Sequence, residues 1–585
     1  MKSLLLPTLL CCIFCLNISA QKLSEKYLKN ETVTYDECIA FYKLLAQKHS
    51  NAKLITCGLT DVGKPLHLFV ITSDGDFNPS SIQNKNKRIL LINNGIHPGE
   101  PDGIDASMKF SEDILTGKIP DSLLNHIVIC IIPVYNIDGA LSRGCCSRSN
   151  QNGPKEYGFR GNARNLDLNR DFIKCDSENS KSFAKIFREW DPDVFIDTHV
   201  SDGADYPYTM TLISSQHNKL NHWLGNYLKI EMTPALFQKM LEKNDEMIPY
   251  VNSFNWEDPP DKGIVGFLEI PRFSTGYATL FNTISFVAET HVFKPFPVRV
   301  KSTYNLLKSL LEVTDADYIK IGDLRKKAKQ DCATRTDFDL QWQADTAKFE
   351  LINFQGYEAK YKKSTVTGLQ RMYYDHAAPY AKTTKFYDEF KATTSVKKPE
   401  TYILPQAWKE VIERMKLNDI EMARLSRDTM LDAEVYYIED YATSHEPYEG
   451  HYLHSNVKLR KENQLIQFHK GDFVINVNTK NNRYAVETLE PQGVDSYFAW
   501  GFFDAILQQK EWFSPFVFEE KAEEILKQHP GLKADFETKQ KQDTAFAKDA
   551  FSQLNFIYRH SDYFEKTYKR YPVVRLNAKL NLPVE

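Results

Sequence analysis

Residues 88–100 read RILLINNGIHPGE, and the fold turns on how this stretch is parsed. Arg88–Asn93 is a nearly unbroken apolar run. Such a run fits a strand buried on both faces, in a sheet covered by helices. It gives way to Gly95-Ile96-His97-Pro98-Gly99-Glu100, a loop at the strand end, where α/β sheets present functional groups. His97 and Glu100 stand three apart, so one turn of the loop lets both reach a single cation, and Pro98-Gly99 favours that turn. Imidazole nitrogen with carboxylate oxygen suits Zn²⁺.

Working outward, Ile127–Val134 (IVICIIPV), Val194–Asp197 (VFID) and Ile284–Ala288 (ISFVA) are apolar runs of the same kind. Leu54–Cys57 and Leu66–Ile71 flank a Gly-rich turn and predict a hairpin. That turn, Gly58 to Pro65, nearly spells a phosphate-binding loop, but Pro65 stands where a hydroxyl is needed for Mg²⁺. Helices are expected near 103–116, 178–190, 216–243 and 298–313, so residues 21–315 read as one α/β domain. Beyond 315 the pattern changes. Residues 316–405 predict a β-rich connecting region, and 406–585 an α+β accessory domain with a helix over 406–430, strands near 434–440 and 464–478, and helices near 518–547.

The 585 residues carry 73 Lys+Arg against 77 Asp+Glu, a net charge of −4, which argues against a nucleic-acid-binding protein. Residues 1–20 have a positive start, an apolar stretch and small residues before Gln21, and predict a signal peptide. The expected location is therefore secreted or periplasmic, and no later run is long enough to span a membrane. Seven cysteines follow residue 20, an odd number without CxxC, so neither a disulfide framework nor a zinc ribbon is indicated. One or two bridges are compatible with an oxidising compartment, with no pairing favoured.

Three further motifs close predicted core strands or lie between them. Asp197-Thr198-His199 ends VFIDTH, and with His97 and Glu100 would complete three ligands and one open position, as in catalytic zinc sites. Leu166-Asp167-Leu168-Asn169-Arg170-Asp171 offers an amide and a forked cation able to grip a carboxylate, and Asp167 could orient a metal-bound imidazole. Phe286-Val287-Ala288-Glu289-Thr290-His291 puts a carboxylate at a strand end, where it could move protons near a metal; His291 is read as structural or as backing a ligand. Neither HExxH nor GxSxG occurs.

In order and context these motifs resemble the zinc carboxypeptidase family of the carboxypeptidase A type, over roughly residues 25–315. Residues 95–100 match its Gly-x-His-x-x-Glu, Asn136-Ile137-Asp138-Gly139 its Asn-Pro-Asp-Gly turn with Ile for Pro, and Asn165–Arg170 its Gly-x-Asp-x-Asn-Arg segment without the Gly. His199 matches the lone third ligand, Glu289 the strand-borne catalytic Glu, and Tyr206-Pro207-Tyr208 also looks like the family. The resemblance implies a mixed eight-stranded sheet with helices on both faces. It implies one zinc held by His97, Glu100 and His199, with Glu289 as general base and Asn169 and Arg170 on a substrate's free C-terminal carboxylate. For the oxyanion-stabilising arginine, Arg148, Arg160 and Arg164 all qualify, Arg148 having the spacing nearest the family's; Tyr277 is the nearest candidate for the family's substrate-capping tyrosine. The expected function is a zinc metallocarboxypeptidase acting on peptides. The alternatives are an amidase or deacylase on the same scaffold, acting on cell-wall peptides or N-acyl amino acids, and a non-catalytic peptide- or glycan-binding protein.

Overall fold

The computed structural model describes residues 23–585 apart from residue 256, so the expected signal peptide lies outside the described residues. The strands are β1 (Ala52–Leu59), β2 (Pro65–Ile71), β3 (Arg88–Asn93), β4 (Ile127–Ile132), β5 (Val194–Ser201), β6 (Met210–Ser214), β7 (Met247–Pro249), β8 (Ile264–Val265) and β9 (Ile284–His291). Eight of them form one sheet in the order β1-β2-β4-β3-β5-β9-β6-β7, while β8 pairs with a later hairpin. β4, β3, β5 and β9 are mutually parallel; β1, β2 and β6 join antiparallel, so the sheet is mixed.

The continuous apolar runs are explained by cover on both faces. Helix 102–115 packs against helices 296–316 and 35–48, and Tyr42 of the last meets Phe69 on β2. Helices 178–190 and 274–280 pack through Phe183, Phe187 and Tyr277, with Phe183 and Phe187 reaching Phe195 on β5. Gly103 allows the first turn of helix 102–115 to lie on the end of β5: a Cβ there would fall 1.9 Å from Thr198 Oγ1. The near-P-loop segment is the β1–β2 turn, closed by Thr60 N–H to Lys64 O, 2.9 Å, with Gly63 at φ +72°.

Two expectations for the second half are corrected. Residues 318–334 form a helix rather than part of a β-rich region, because Ile321, Arg325, Ala328 and Cys332 recur at helical spacing and are buried together. Of 406–430 only Lys409–Leu417 is helical; the chain turns at Asp419 (φ +54°), and Ala423–Arg424 and Thr429 onward join a six-stranded sheet. The long hairpins Glu350–Lys363/Gln370–Tyr387 and Thr429–Thr443/His454–Phe468 and the helices Pro515–Gln528 and Pro530–Gln542 complete this half. Cys145 and Cys146 are disulfide-bonded to each other; the other five described cysteines are free.

Helix 318–334 is locked to the first sheet by a buried cation. Arg325 pairs with Asp193 at 2.8 Å and Asp191 at 2.9 Å and donates to Asn282 O, while Asp193 also accepts the N–H of Ile89 at the start of β3. Removing one partner of a buried pair leaves the other charge uncompensated. Arg325→Ala should therefore cost about 3 kcal/mol of stability, read as a lower urea midpoint; an unchanged midpoint would show that this lock contributes nothing.

Candidate active site

The parallel ladder places His199 of β5 directly beside Glu289 of β9, and neighbours in register share a sheet face. β3 lies on the other side of β5, and its C-terminal loop turns at Gly95 (φ +64°), where the side-chain-free residue meets no steric penalty. The Glu100 N–H then bonds to His97 O at 2.8 Å, closing the one-turn loop. The result is a buried triad of His97, Glu100 and His199 whose ligand atoms lie within 4.8 Å of one another. His97 Nδ1 stands 3.2 Å from Glu100 Oε1, and His199 Nδ1 3.2 Å from Glu100 Oε2.

Each imidazole is backed on its other nitrogen. His97 Nε2 is hydrogen-bonded to Asp167 Oδ1 at 2.9 Å, and His199 Nε2 lies off-axis 3.1 Å from Asp197 Oδ2. Asp197 also accepts from Asn93 at 3.0 Å, which fixes the carboxylate between β3 and β5. Such backing sets ring orientation and tautomer in metal sites. The buried Nδ1 of His97 has no hydrogen-bond partner, although a carboxylate oxygen is beside it off-axis. A cation would satisfy it, and two nitrogens with one carboxylate suit zinc.

The charges are strongly coupled. Against its burial, Arg148 and His97 hold Glu100 well below the usual carboxylate range. Against its own burial, Asp167 is held far below normal by His97, with Arg160 and Arg170 adding to the effect. Asp197 and Glu100 raise His199 well above a normal imidazole despite desolvation. Burial pushes the Glu289 carboxyl up to about 7.

The cleft above the triad has a volume of about 470 Å³ and is walled by Arg148, Arg160, Asn169, Arg170, Tyr250, Glu269, Phe273 and Glu289 among others. Arg148 Nη1 lies 2.8 Å from Glu100, and its loop is held by the fully buried Arg299, which donates to Asn152 O at 3.0 Å and Gly153 O at 2.9 Å. Arg160 bonds Asp167 at 2.8 Å and stands 3.6 Å from Glu100. Arg164, the third arginine considered, is exposed, bonds to Asp176 O and does not line the cleft. Asn136 ties two site loops together, donating to Ile96 O and Arg160 O while capping the short helix 137–141. The side-chain oxygen of Asn169 accepts from Ser274 N–H at 3.0 Å, and the Arg170 guanidinium lies 4.5 Å over Phe273.

Tyr277 is a correction. It is fully buried among Phe172, Phe187 and Phe281, its hydroxyl donates to Asn418 at 2.7 Å, and it lies outside the cleft, so it is not placed to cap a substrate. Its helical register, in a seven-residue helix on the sheet, turns it into the core. The tyrosine that does line the cleft is Tyr250, just after β7. Sequence reading also missed Glu269, although its place in the apolar run GIVGFLEI marks it as a buried acid. His291 lies beyond the triad, stacked on Tyr206 and 3.3 Å from Asp205.

Residues 38–228 match the family model described as zinc carboxypeptidase; the span includes the triad, Arg148, Asn169 and Arg170 and ends before Glu289. Among curated proteins, carboxypeptidase 2 of Trichophyton rubrum is 22% identical over 446 residues, 72% of this chain and 76% of that protein. Carboxypeptidase 2 of Trichophyton tonsurans is 21% identical over 448 residues, with the same coverage. A metallo-carboxypeptidase structure from Burkholderia cenocepacia, 16% identical, covers 48% of this chain and 70% of its own, with a TM-score of 0.37. Residues 38–228 thus match a zinc carboxypeptidase domain, the kind of domain found in metallocarboxypeptidases, which are hydrolases of peptide bonds.

Proposed function

We propose that this protein is an exported zinc carboxypeptidase that removes C-terminal residues from peptides. The observation that carries the reading is the convergence of the His97–Glu100–His199 triad, Glu289 and the Asn169-Arg170 pair on one cleft. His97 Nδ1, a Glu100 oxygen and His199 Nδ1 would hold the metal, with Asp167 and Asp197 fixing the two rings from behind. Bound there, zinc would supply a Lewis acid that polarises a carbonyl and acidifies water.

The remaining steps belong to the chain's own residues. Arg170, with the Asn169 amide beside it, would receive the substrate carboxylate in a forked contact, and so align the last peptide bond over Glu289. The Glu289 carboxylate would take a proton from the attacking water and return it to the leaving amine nitrogen. A nearby divalent charge would draw its raised pKa back down, keeping it ionised at neutral pH. Arg148 or Arg160, both at the cleft beside Glu100, would face negative charge developing on the carbonyl oxygen. Tyr250 supplies the cleft hydroxyl that Tyr277 cannot.

Glu269 adds a preference. The residue is 3% exposed and lines the cleft, its Oε2 has no hydrogen-bond partner among the described residues, and burial raises its carboxyl well above the usual range. Burial favours its neutral form, and a cationic side chain beside it would favour the carboxylate and pair with it. Peptides ending in Lys or Arg should accordingly be preferred over those ending in Phe by at least about tenfold in kcat/KM, and Glu269→Gln should erase the preference. Equal rates on both peptides would remove this assignment.

The free carboxylate separates this reading from an amidase. The enzyme should release the last residue of a free peptide and fail on its C-terminal amide. Equal cleavage of both would favour the amidase alternative. Glu289→Gln should retain zinc and lose about 10³-fold in kcat, whereas Tyr277→Phe should stay within about twofold of the parent. An active Glu289→Gln protein would contradict the proposed proton path.

A further inference from the structure

The accessory half reaches the site through the tip of the hairpin 429–443/454–468. Tyr448 and His451 close a tight turn, Tyr448 N–H to His451 O at 2.7 Å, with Glu449 at φ +52° and Gly450 at φ +85°. Two central residues of positive φ favour Gly or Asn, so a glutamate there holds an unfavourable backbone conformation. Its side chain meets the site: Glu449 Oε2 accepts the N–H of Asp167 at 2.8 Å, and Asp167 is the carboxylate behind His97. Beside it the Tyr448 hydroxyl accepts Nε–H of Arg170 at 2.9 Å. The tip is fastened on its other side by His451 to Asp176 at 2.8 Å, and Tyr448 is packed near Trp500 and the Arg272 guanidinium.

These contacts fix the orientation of Arg170. Its Nε is committed to Tyr448 and its Nη1 to Asn169 O at 2.9 Å, with Phe273 beneath the plane. Among the described residues its Nη2 has no acceptor, and the group lines the cleft. A guanidinium held at Nε presents its remaining edge in one direction, the preorganisation a two-point grip on a carboxylate requires. We propose that Tyr448, from the C-terminal half, is the positioning residue for Arg170, so that recognition of the substrate's free carboxylate depends on a region outside the catalytic sheet. This inference rests on the carboxypeptidase reading above.

The test uses the zinc-loaded full chain carrying Glu289→Gln, so that peptide binds without turnover, and two peptides identical but for a free or amidated C-terminus. Calorimetry should show the free peptide bound at least about tenfold more tightly. Adding Tyr448→Phe should cut that ratio about fivefold, leave affinity for the amide unchanged, and have no further effect once Arg170→Ala is present. Equal weakening of both peptides, as from a merely structural role, would overturn the inference. So would an unchanged ratio, or additivity with Arg170→Ala. A ratio near one in the Tyr448-containing protein would instead sink the carboxypeptidase reading itself, and this inference with it.

Discussion

The site depends on one piece of backbone geometry: two parallel strands in register that put an imidazole and a carboxylate side by side. His199 and Glu289 are 90 residues apart in sequence but paired on one rung of the β5–β9 ladder, at the edge where β3 delivers His97 and Glu100. A slip of one residue would send either side chain to the opposite face. The burial of both strands makes such a slip costly, because it would exchange core side chains for polar ones. The apolar runs that build the sheet are therefore also what aims the chemistry.

That geometry concentrates negative charge. Glu100, Asp167, Asp197 and Glu269 are buried in or behind one cleft, and the half-buried Glu289 lines it. Arg148, Arg160 and Arg170 answer part of this, and the two imidazoles share Glu100. Buried carboxylates are tolerated when paired, hydrogen-bonded or coordinated to a metal. A divalent ion between His97, Glu100 and His199 would supply the missing positive charge without moving the backbone. The rest of the molecule is arranged to keep this cluster rigid: Arg299 pins the Arg148 loop, Asn136 ties the loops at 96 and 160, and Glu449 holds the Asp167 backbone.

Much of this was legible in the sequence because the signals are local. RILLIN, IVICII and VFID announce buried strands by composition alone, and VFIDTH closes on the ligand candidate His199 itself. The helix at 318–334 misreads in sequence as part of a β-rich region: residues 321, 325, 328 and 332 carry its period, but the charged residues between them mask it. What could not be read was the outcome of long-range packing. Tyr277 and Tyr250 are indistinguishable as isolated tyrosines; only the docking of helix 274–280 sends one to the core and leaves the other in the cleft. The contact between Tyr448 and Arg170 spans 278 residues and carries no local pattern.

The most direct test is X-ray absorption spectroscopy at the zinc edge on the purified, metal-loaded protein. The account predicts two imidazole nitrogens and one carboxylate at about 2.0–2.2 Å, with an imidazole signal that weakens in His97→Ala and again in His199→Ala. Sulfur scattering at about 2.3 Å, or a spectrum indifferent to both substitutions, would place the metal elsewhere and contradict it.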